Sequence, residues 1–391
     1  MEIIIILGIL IALLFNFANG LNDAANSIAT IIATKALTPL QAVGLAAVFN
    51  LLGPLLFTTA IAKTIGRGIV DPALLTPHII FAGMIGSVLW ILVTSYFGIP
   101  VSSSHALIGG LLGSGIAAAG IGGILWPDIV VVELLAIYCL FGAALGALAL
   151  AAIASFKGEN WANYLWLGAL VGFTLTVPLL IATGTLPISG LLAVVVFIVV
   201  SPMLGLISAF AFGIIVVRTV ARFPPRRLNG IFRHLQIFSG SLQSIGHGSN
   251  DAQNAMGMIT AFLLAGGLIS EFVVPLWVII ASAGAISLGT LLGGWRVIDR
   301  MANKITKIRP YQGFCASTAA GSVLSLMTAF GVPVSTTHAT SGAIMGIGAT
   351  RGYSAVKWGI VREIVAAWIM TIPASAIVAG IVYIGYRAIF L

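Results

Sequence analysis

Charge is what this sequence has least of. Only 7% of its 391 residues are Asp, Glu, Lys or Arg, against 60% hydrophobic. A soluble domain needs roughly a quarter of its residues charged to keep its surface in water, so most of this surface must face something else. Cysteine is also scarce. The two, Cys139 and Cys315, fall in separate apolar stretches; that argues against a disulfide framework or a cysteine metal site and leaves them as small packing residues. A basic amino-terminal start is missing too: Met1 and Glu2 lead directly into Ile3–Leu14. That apolar run feeds a polar motif where a cleavage site would stand, so it reads as a first membrane span and not as a removable signal.

What the sequence has in quantity is apolar runs of bilayer-spanning length, about 20 residues. They lie near 3–18, 38–62, 77–97, 129–155, 162–182, 188–217, 272–294, 310–330 and 364–390. The net charge of +8 is concentrated in two places: Arg218, Arg222, Arg226, Arg227 and Arg233, then Arg296, Arg300, Lys304, Lys307 and Arg309. Short basic segments between apolar runs mark the cytoplasmic face of a membrane protein. That reading is preferred to nucleic-acid binding.

One unit is used twice. Phe97-Gly-Ile-Pro-Val-Ser-Ser-Ser-His105 returns as Phe330-Gly-Val-Pro-Val-Ser-Thr-Thr-His338, and on to Gly115 and Gly348 ten of 19 positions are identical. Asn22-Asp-Ala-Ala-Asn26 returns as Asn250-Asp-Ala-Gln-Asn254. Two motifs in one order at nearly one offset predict a first repeat over 1–156 and a second over 234–391. Residues 157–217 are expected to be linking membrane helices and 218–233 a basic cytoplasmic linker. Duplicated halves with interrupted apolar segments are a signature of secondary transporters. Counting each apolar run as one crossing leaves the two copies parallel.

Asp23 and Asp251 are the most informative residues, because a carboxylate within a membrane segment is costly and by default marks an ion or proton path. On a helix, each Asp shares a face with the Asn three residues later, Asn26 or Asn254. Carboxylate and amide oxygens are hard ligands that suit Na⁺; amide N–H groups suit an anion. Asn19-Gly20 and Gly246-His247-Gly248 precede the motifs, and predict a broken helix in each copy with free backbone at membrane depth. Structural hydrogen bonding between helices is the plainer alternative.

Pro100–Ser104 and Pro333–Thr337 open glycine-rich runs too short for ordinary spans, and predict re-entrant hairpins over 98–120 and 331–350. Serine or threonine at a helix start leaves N–H groups oriented to bind anions, with Ser103, Ser104, Thr336 and Thr337 adding hydroxyls. None of the four motifs contains Lys or Arg, so an anion there would rest on neutral donors and bound cations. His105 and His338 follow the hairpin tips as proton relays or metal ligands or, more simply, as capping or hinge residues hydrogen-bonded to backbone. Glu363, beside Arg362, is either a further cation ligand or half of an ion pair; Glu133 has a weaker case.

At these residues the chain resembles the inorganic phosphate transporter (PiT) family of sodium/phosphate symporters. The family's duplicated G-A-N-D-V-A-N-A type motif stands here as Gly20–Ser27 and Gly248–Ala255, its P-[VI]-S-x-[ST]-H element at 100–105 and 333–338, and Lys357-Trp358 leads into Glu363 and Trp368. The resemblance implies an all-α integral membrane protein of about 12 membrane segments in two inverted repeats, each with a broken helix and a re-entrant hairpin, and a homodimer in the cell (inner) membrane. It implies import of inorganic phosphate coupled to Na⁺ by alternating access, with no resident cofactor. By motif match, Asn22, Asn250, Ser103, Ser104, Thr336 and Thr337 would contact phosphate, and Asp23, Asn26, Asp251 and Asn254 would hold Na⁺, with Glu363 as a further ligand. Leu21, Ser249 and Gln253 depart from the signature. Sulfate as cargo and H⁺ as coupling ion are the alternatives within the family. An ion channel is disfavoured by two half-sites in one chain, and no nucleophile–base pair or nucleotide loop supports an enzyme.

Overall fold

Backbone polar groups cannot be left unpaired in hydrocarbon, and the apolar runs accordingly fold as helices. The computed structural model describes residues 2–332 and 334–390; of Glu2, Arg67, Pro225, Arg226 and Phe390 only the backbone is described, and Met1, Pro333 and Leu391 lie outside. In the first part of the chain stand α1 (Glu2–Ala33), α2 (Pro39–Leu56), α3 (Ala60–Arg67), α4 (Pro77–Tyr96), α5 (Ser103–Ala119) and α6 (Ile129–Phe156). Two connecting helices follow, α7 (Ala162–Ala182) and α8 (Gly190–Val220). The second part holds α9 (Pro225–Ala265), α10 (Leu276–Leu292), α11 (Trp295–Asp299), α12 (Pro310–Ala329), α13 (Thr336–Ala349) and α14 (Trp358–Phe390). Among the described residues the only β-pairing is an isolated bridge between Val70 and Ile124.

Helix starts follow the local sequence. Thr38 and Thr76 cap α2 and α4 with their hydroxyls, each followed by proline in the first turn, where a missing N–H costs nothing. Among the described residues seven helices are long and apolar enough to cross a bilayer: α1, α2, α4, α6, α7, α8 and α14. The pair α10–α11, bent by 66° at Gly293-Gly294, makes an eighth. Length and apolarity alone thus stop short of the twelve segments the resemblance implies. The shortfall has a physical cause: α9 and α12 have the length but carry buried polar residues, while α5 (17 residues) and α13 (14 residues) are short. At 1.5 Å per residue these two reach about 20–25 Å of a core about 30 Å thick.

The two parts interlock. α1 packs on α10, and α9 packs on α2. Glycines make both crossings. A Cβ on Gly20 would stand 2.1 Å from the Ile286 carbonyl oxygen and one on Gly289 2.0 Å from that of Phe17; one on Gly248 would stand 2.3 Å from Asn50 O and one on Gly53 2.4 Å from Ile245 O. Farther out, α14 lies against α4 and α5 as α8 lies against α12 and α13. The pair α6–α7 stays outside, with only 11% of the α6 span buried.

This packing corrects one expectation. α1 and α9 run unbroken through the N-D motifs, because Gly20 and Gly248 let a neighbouring helix approach and do not interrupt their own. The breaks stand elsewhere, between α2 and α3 and between α10 and α11. Within the basic segment 218–233, Arg218 lies in the last turn of α8 and Arg227 and Arg233 lie in the first turns of α9, with 221–224 between the two helices.

The crossings give a direct test. Gly20→Ala forces backbone apart and is expected to cost about 1–3 kcal/mol, read as a lower thermal midpoint of the purified protein. Gly44→Ala meets nothing within 4 Å and should be neutral or slightly stabilising. Equal midpoints for the two variants would refute the crossing.

Candidate functional site

The N-D motifs lie in the middle of α1 and α9, which pack against each other. Facing them are the starts of α5 and α13. Ser102 caps α5 by accepting from the His105 amide at 3.3 Å, and Ser335 caps α13 by accepting from the His338 amide at 3.2 Å. The hydroxyls free for the site are therefore those of the next two residues in each helix. Ser103, Ser104, Thr336 and Thr337, together with both motifs' asparagines and aspartates, are at most 5% exposed.

Reciprocal hydrogen bonds join these groups. Ser103 donates to Asp23 Oδ2 at 3.3 Å, as Thr336 donates to Asp251 Oδ2 at 3.1 Å. The asparagines reach across: Asn26 Nδ2 donates to Thr336 (3.2 Å) and Thr337 (3.0 Å), and Asn254 Nδ2 to Ser104 (2.9 Å). Thr337 donates to Asp23 Oδ1 at 3.0 Å, with the Val101 carbonyl 3.1 Å away. Asn22 Nδ2 donates to Ser95 at 2.7 Å and Asn250 Nδ2 to Thr328 at 3.2 Å.

The direction of these bonds decides what the site lacks. A carboxylate only accepts, so Thr336 and Thr337 give their hydrogens to the aspartates. Asn26 must then present its N–H₂ to them, which turns its oxygen away. The result is a set of buried acceptors without partners: the Oδ1 atoms of Asn22, Asn26, Asn250, Asn254 and Asp251. A second chain adds one more. Thr290 donates to Ile286 O (2.9 Å), so Asn50 Nδ2 donates to Thr290 (2.8 Å) and Asn50 Oδ1 accepts from His247 Nδ1 (3.0 Å). A neutral His247 then points the lone pair of Nε2 at Asp251 Oδ2, 3.3 Å away. Ligand atoms of Asp23, His247 and Asp251 all lie within 4.8 Å of one another. The hydrogen-bonding groups described here include no lysine or arginine. Such a cluster of oxygens calls for a cation, and the two helix starts beside it suit an anion.

Ten of the eleven site residues expected from the sequence meet here; Glu363 does not. Its side chain is 59% exposed and stands 3.5 Å from Arg300, so its charge is met at the surface by a neighbouring segment and not by Arg362. Glu133 is exposed on α6. His105 and His338 meet each other edge to face at 4.8 Å, His338 stacks on Trp368 at 3.9 Å, and Trp368 Nε1 donates to Pro100 O at 3.1 Å. They tie the two helix starts together. Of the second hairpin's Pro-Val-Ser element, Pro333 lies outside the described residues. Sequence reading missed Ser95, Thr328, Asn50, Thr290 and His247 as site residues. Ser95 and Thr328 carried a signal: extending the repeat two residues upstream aligns Ser95-Tyr-Phe-Gly98 with Thr328-Ala-Phe-Gly331.

Comparison with known proteins meets this geometry. The phosphate transporter family matches residues 19–379. A probable low-affinity inorganic phosphate transporter of Rhizobium meliloti (strain 1021) is 42% identical over 376 residues, 96% of this chain and 94% of the relative. One of the same description from Bacillus subtilis (strain 168) is 35% identical over 396 residues, covering 100% of both chains. A solved structure, the sodium-dependent phosphate transporter, is similar over 100% of both chains with a TM-score of 0.71 and 25% identity. With its spanning helices and buried polar centre, this multi-pass membrane protein is a transporter and not an enzyme, and it belongs to the phosphate transporter family.

Proposed function

We propose that the chain is a symporter of the cell (inner) membrane that imports inorganic phosphate coupled to Na⁺ by alternating access. The observation that carries this reading is the set of unpartnered acceptors around two neighbouring carboxylates. Two bare carboxylates within 4.8 Å repel each other by about 3 kcal/mol at an effective dielectric of about 20, and both repel phosphate. Na⁺ bound by Asp23 and Asn26, and by Asp251 and Asn254, removes that repulsion. Phosphate then docks against the starts of α5 and α13, on the hydroxyls of Ser103, Ser104, Thr336 and Thr337 and the amides of Asn22 and Asn250. Cation binding thus precedes anion binding, which is the basis of coupling.

A site this buried supports alternating access, since cargo enters and leaves only when packed elements part. The reciprocal bonds support an inverted pair of repeats, 1–156 and 234–391, exchanging roles as the two sides open in turn. The outlying α6–α7 pair, apolar and largely exposed, supports a homodimer. One observation favours H⁺ as an alternative coupling ion: a proton between His247 Nε2 and Asp251 would relieve the same clash of acceptors.

In proteoliposomes, an imposed inward Na⁺ gradient should drive labelled phosphate above its equilibrium level. Accumulation driven only by a proton gradient would replace Na⁺ with H⁺, and competition by sulfate but not arsenate would overturn the phosphate assignment. Asp23→Asn and Asp251→Asn should each lower uptake about tenfold or more, the effect of losing roughly 1.4 kcal/mol of coordination, and flatten its Na⁺ dependence. Normal rates with normal Na⁺ dependence in both variants would contradict the cation roles.

A further inference from the structure

The two broken helices touch the site in a way the binding groups do not explain. Each leans on the opposite half of the chain. At the α10–α11 bend, a Cβ on Gly294 would meet the carbonyl oxygen of Leu21, inside the first motif, at 2.5 Å. The next turn, at Arg296, covers the junction between α4 and α5. A Cβ on Gly98 would stand 2.9 Å from Arg296 Cβ. The Arg296 guanidinium lies 4.6 Å from the centre of the Tyr96 ring and donates to the Tyr96 carbonyl, one of the carbonyls that a helix end leaves unpaired. Ser95, the preceding residue, accepts from Asn22 of the first motif.

The break between α2 and α3 does the same to the other half. A Cβ on Gly257, in α9, would meet the Ala62 carbonyl at 2.6 Å, and one on Gly331 would stand 3.0 Å from Ala60 Cβ. Gly98 and Gly331 both hold positive φ, +66° and +70°, so each turn needs its glycine for the conformation as well as the contact. Ala60 thus occupies against Gly331 the place of Arg296 against Gly98. A methyl group cannot reach a carbonyl. The tie comes instead from Gln253, whose Oε1 accepts from the Ala62 amide at 3.1 Å while its Nε2 donates to Ser249 O at 2.7 Å. Gln253 is the residue that departs from the small side chain usual in the motif.

We propose that the α10–α11 bend and the α2–α3 break are the two gates of the transport path, each lent by one half to the other, and that Arg296 and Gln253 are their latches. The claim rests on the alternating-access reading and adds which contacts oppose each opening. The latches differ in kind. Arg296 holds the α4–α5 turn from outside, through a charged hydrogen bond and a ring face; Gln253 holds α3 from within the motif itself. The balance between the two open states is therefore set by two chemically independent ties, and weakening one shifts the population towards opening on its own side.

The test uses two equivalent reporter positions, one in each turn. In a chain with Cys139→Ala and Cys315→Ala, Ile99→Cys and Val332→Cys are labelled separately by a membrane-impermeant maleimide, in vesicles of both orientations. Arg296→Leu should speed labelling at position 99 and slow it at 332, each about tenfold. Gln253→Ala should do the reverse, and Arg296→Lys should restore part of the wild-type ratio. A variant that speeds its own turn without slowing the other is a brace and not a latch, which overturns the proposal. Labelling in the parent, with both latches intact, that does not respond in opposite directions at the two positions to saturating Na⁺ and phosphate overturns the alternating-access reading along with it. That outcome is distinguishable from the failure of the latches alone.

Discussion

Two carboxylates held side by side, away from water, impose conditions on everything around them. Burying one such charge without a partner costs far more than a typical helix contact contributes, and here Asp23 and Asp251 share one enclosure. The surrounding atoms answer in a consistent sense. Hydroxyl hydrogens from Ser103, Thr336 and Thr337 go to the carboxylates, amide hydrogens go to hydroxyls, and amide oxygens are left over. Neutral donors spread the charge without cancelling it. Had an arginine stood in their place, the aspartates would be satisfied permanently and the site would have no use for an exchangeable cation. The absence of basic side chains from the motifs is thus a requirement of the proposed cation coupling.

The same enclosure explains the helix geometry. Bringing two motifs together requires α1 and α9 to meet at mid-length, and their backs must be sealed at short range. Gly20 with Gly289 and Gly53 with Gly248 provide that seal through backbone-to-backbone contact, the usual route to tight packing where lipid offers no hydrophobic drive. The polarity that makes α9 a poor membrane segment by composition is the polarity of the site it carries.

Much of this was legible in the sequence. The duplication located both motifs and both short helices, α5 and α13, because each copy repeats its own residues at nearly constant spacing. Low charge and apolar runs fixed the class of molecule. What stayed hidden depends on partners far along the chain. Nothing near Gly20 tells whether it bends its own helix or admits α10, more than 260 residues away, and the local rule for glycine favours the first. The exchange between halves, Asn26 to Thr337 and Asn254 to Ser104, has no local trace. Glu363 was misleading for the opposite reason: an acidic residue entering an apolar helix resembles a ligand, until Arg300 is found beside it on the outer surface.

The reciprocal crossing has a consequence for how the chain is made. Synthesis delivers the amino-terminal half first, yet α1 finds its glycine-matched partner only in α10, and Asp23 finds Thr337 only after a further 314 residues. Until then α1 carries Asn16, Asp23 and Asn26 into the bilayer with their second-half partners still to be translated. A newly inserted first half therefore exposes polar side chains whose hydrogen-bond partners are supplied only by the second half.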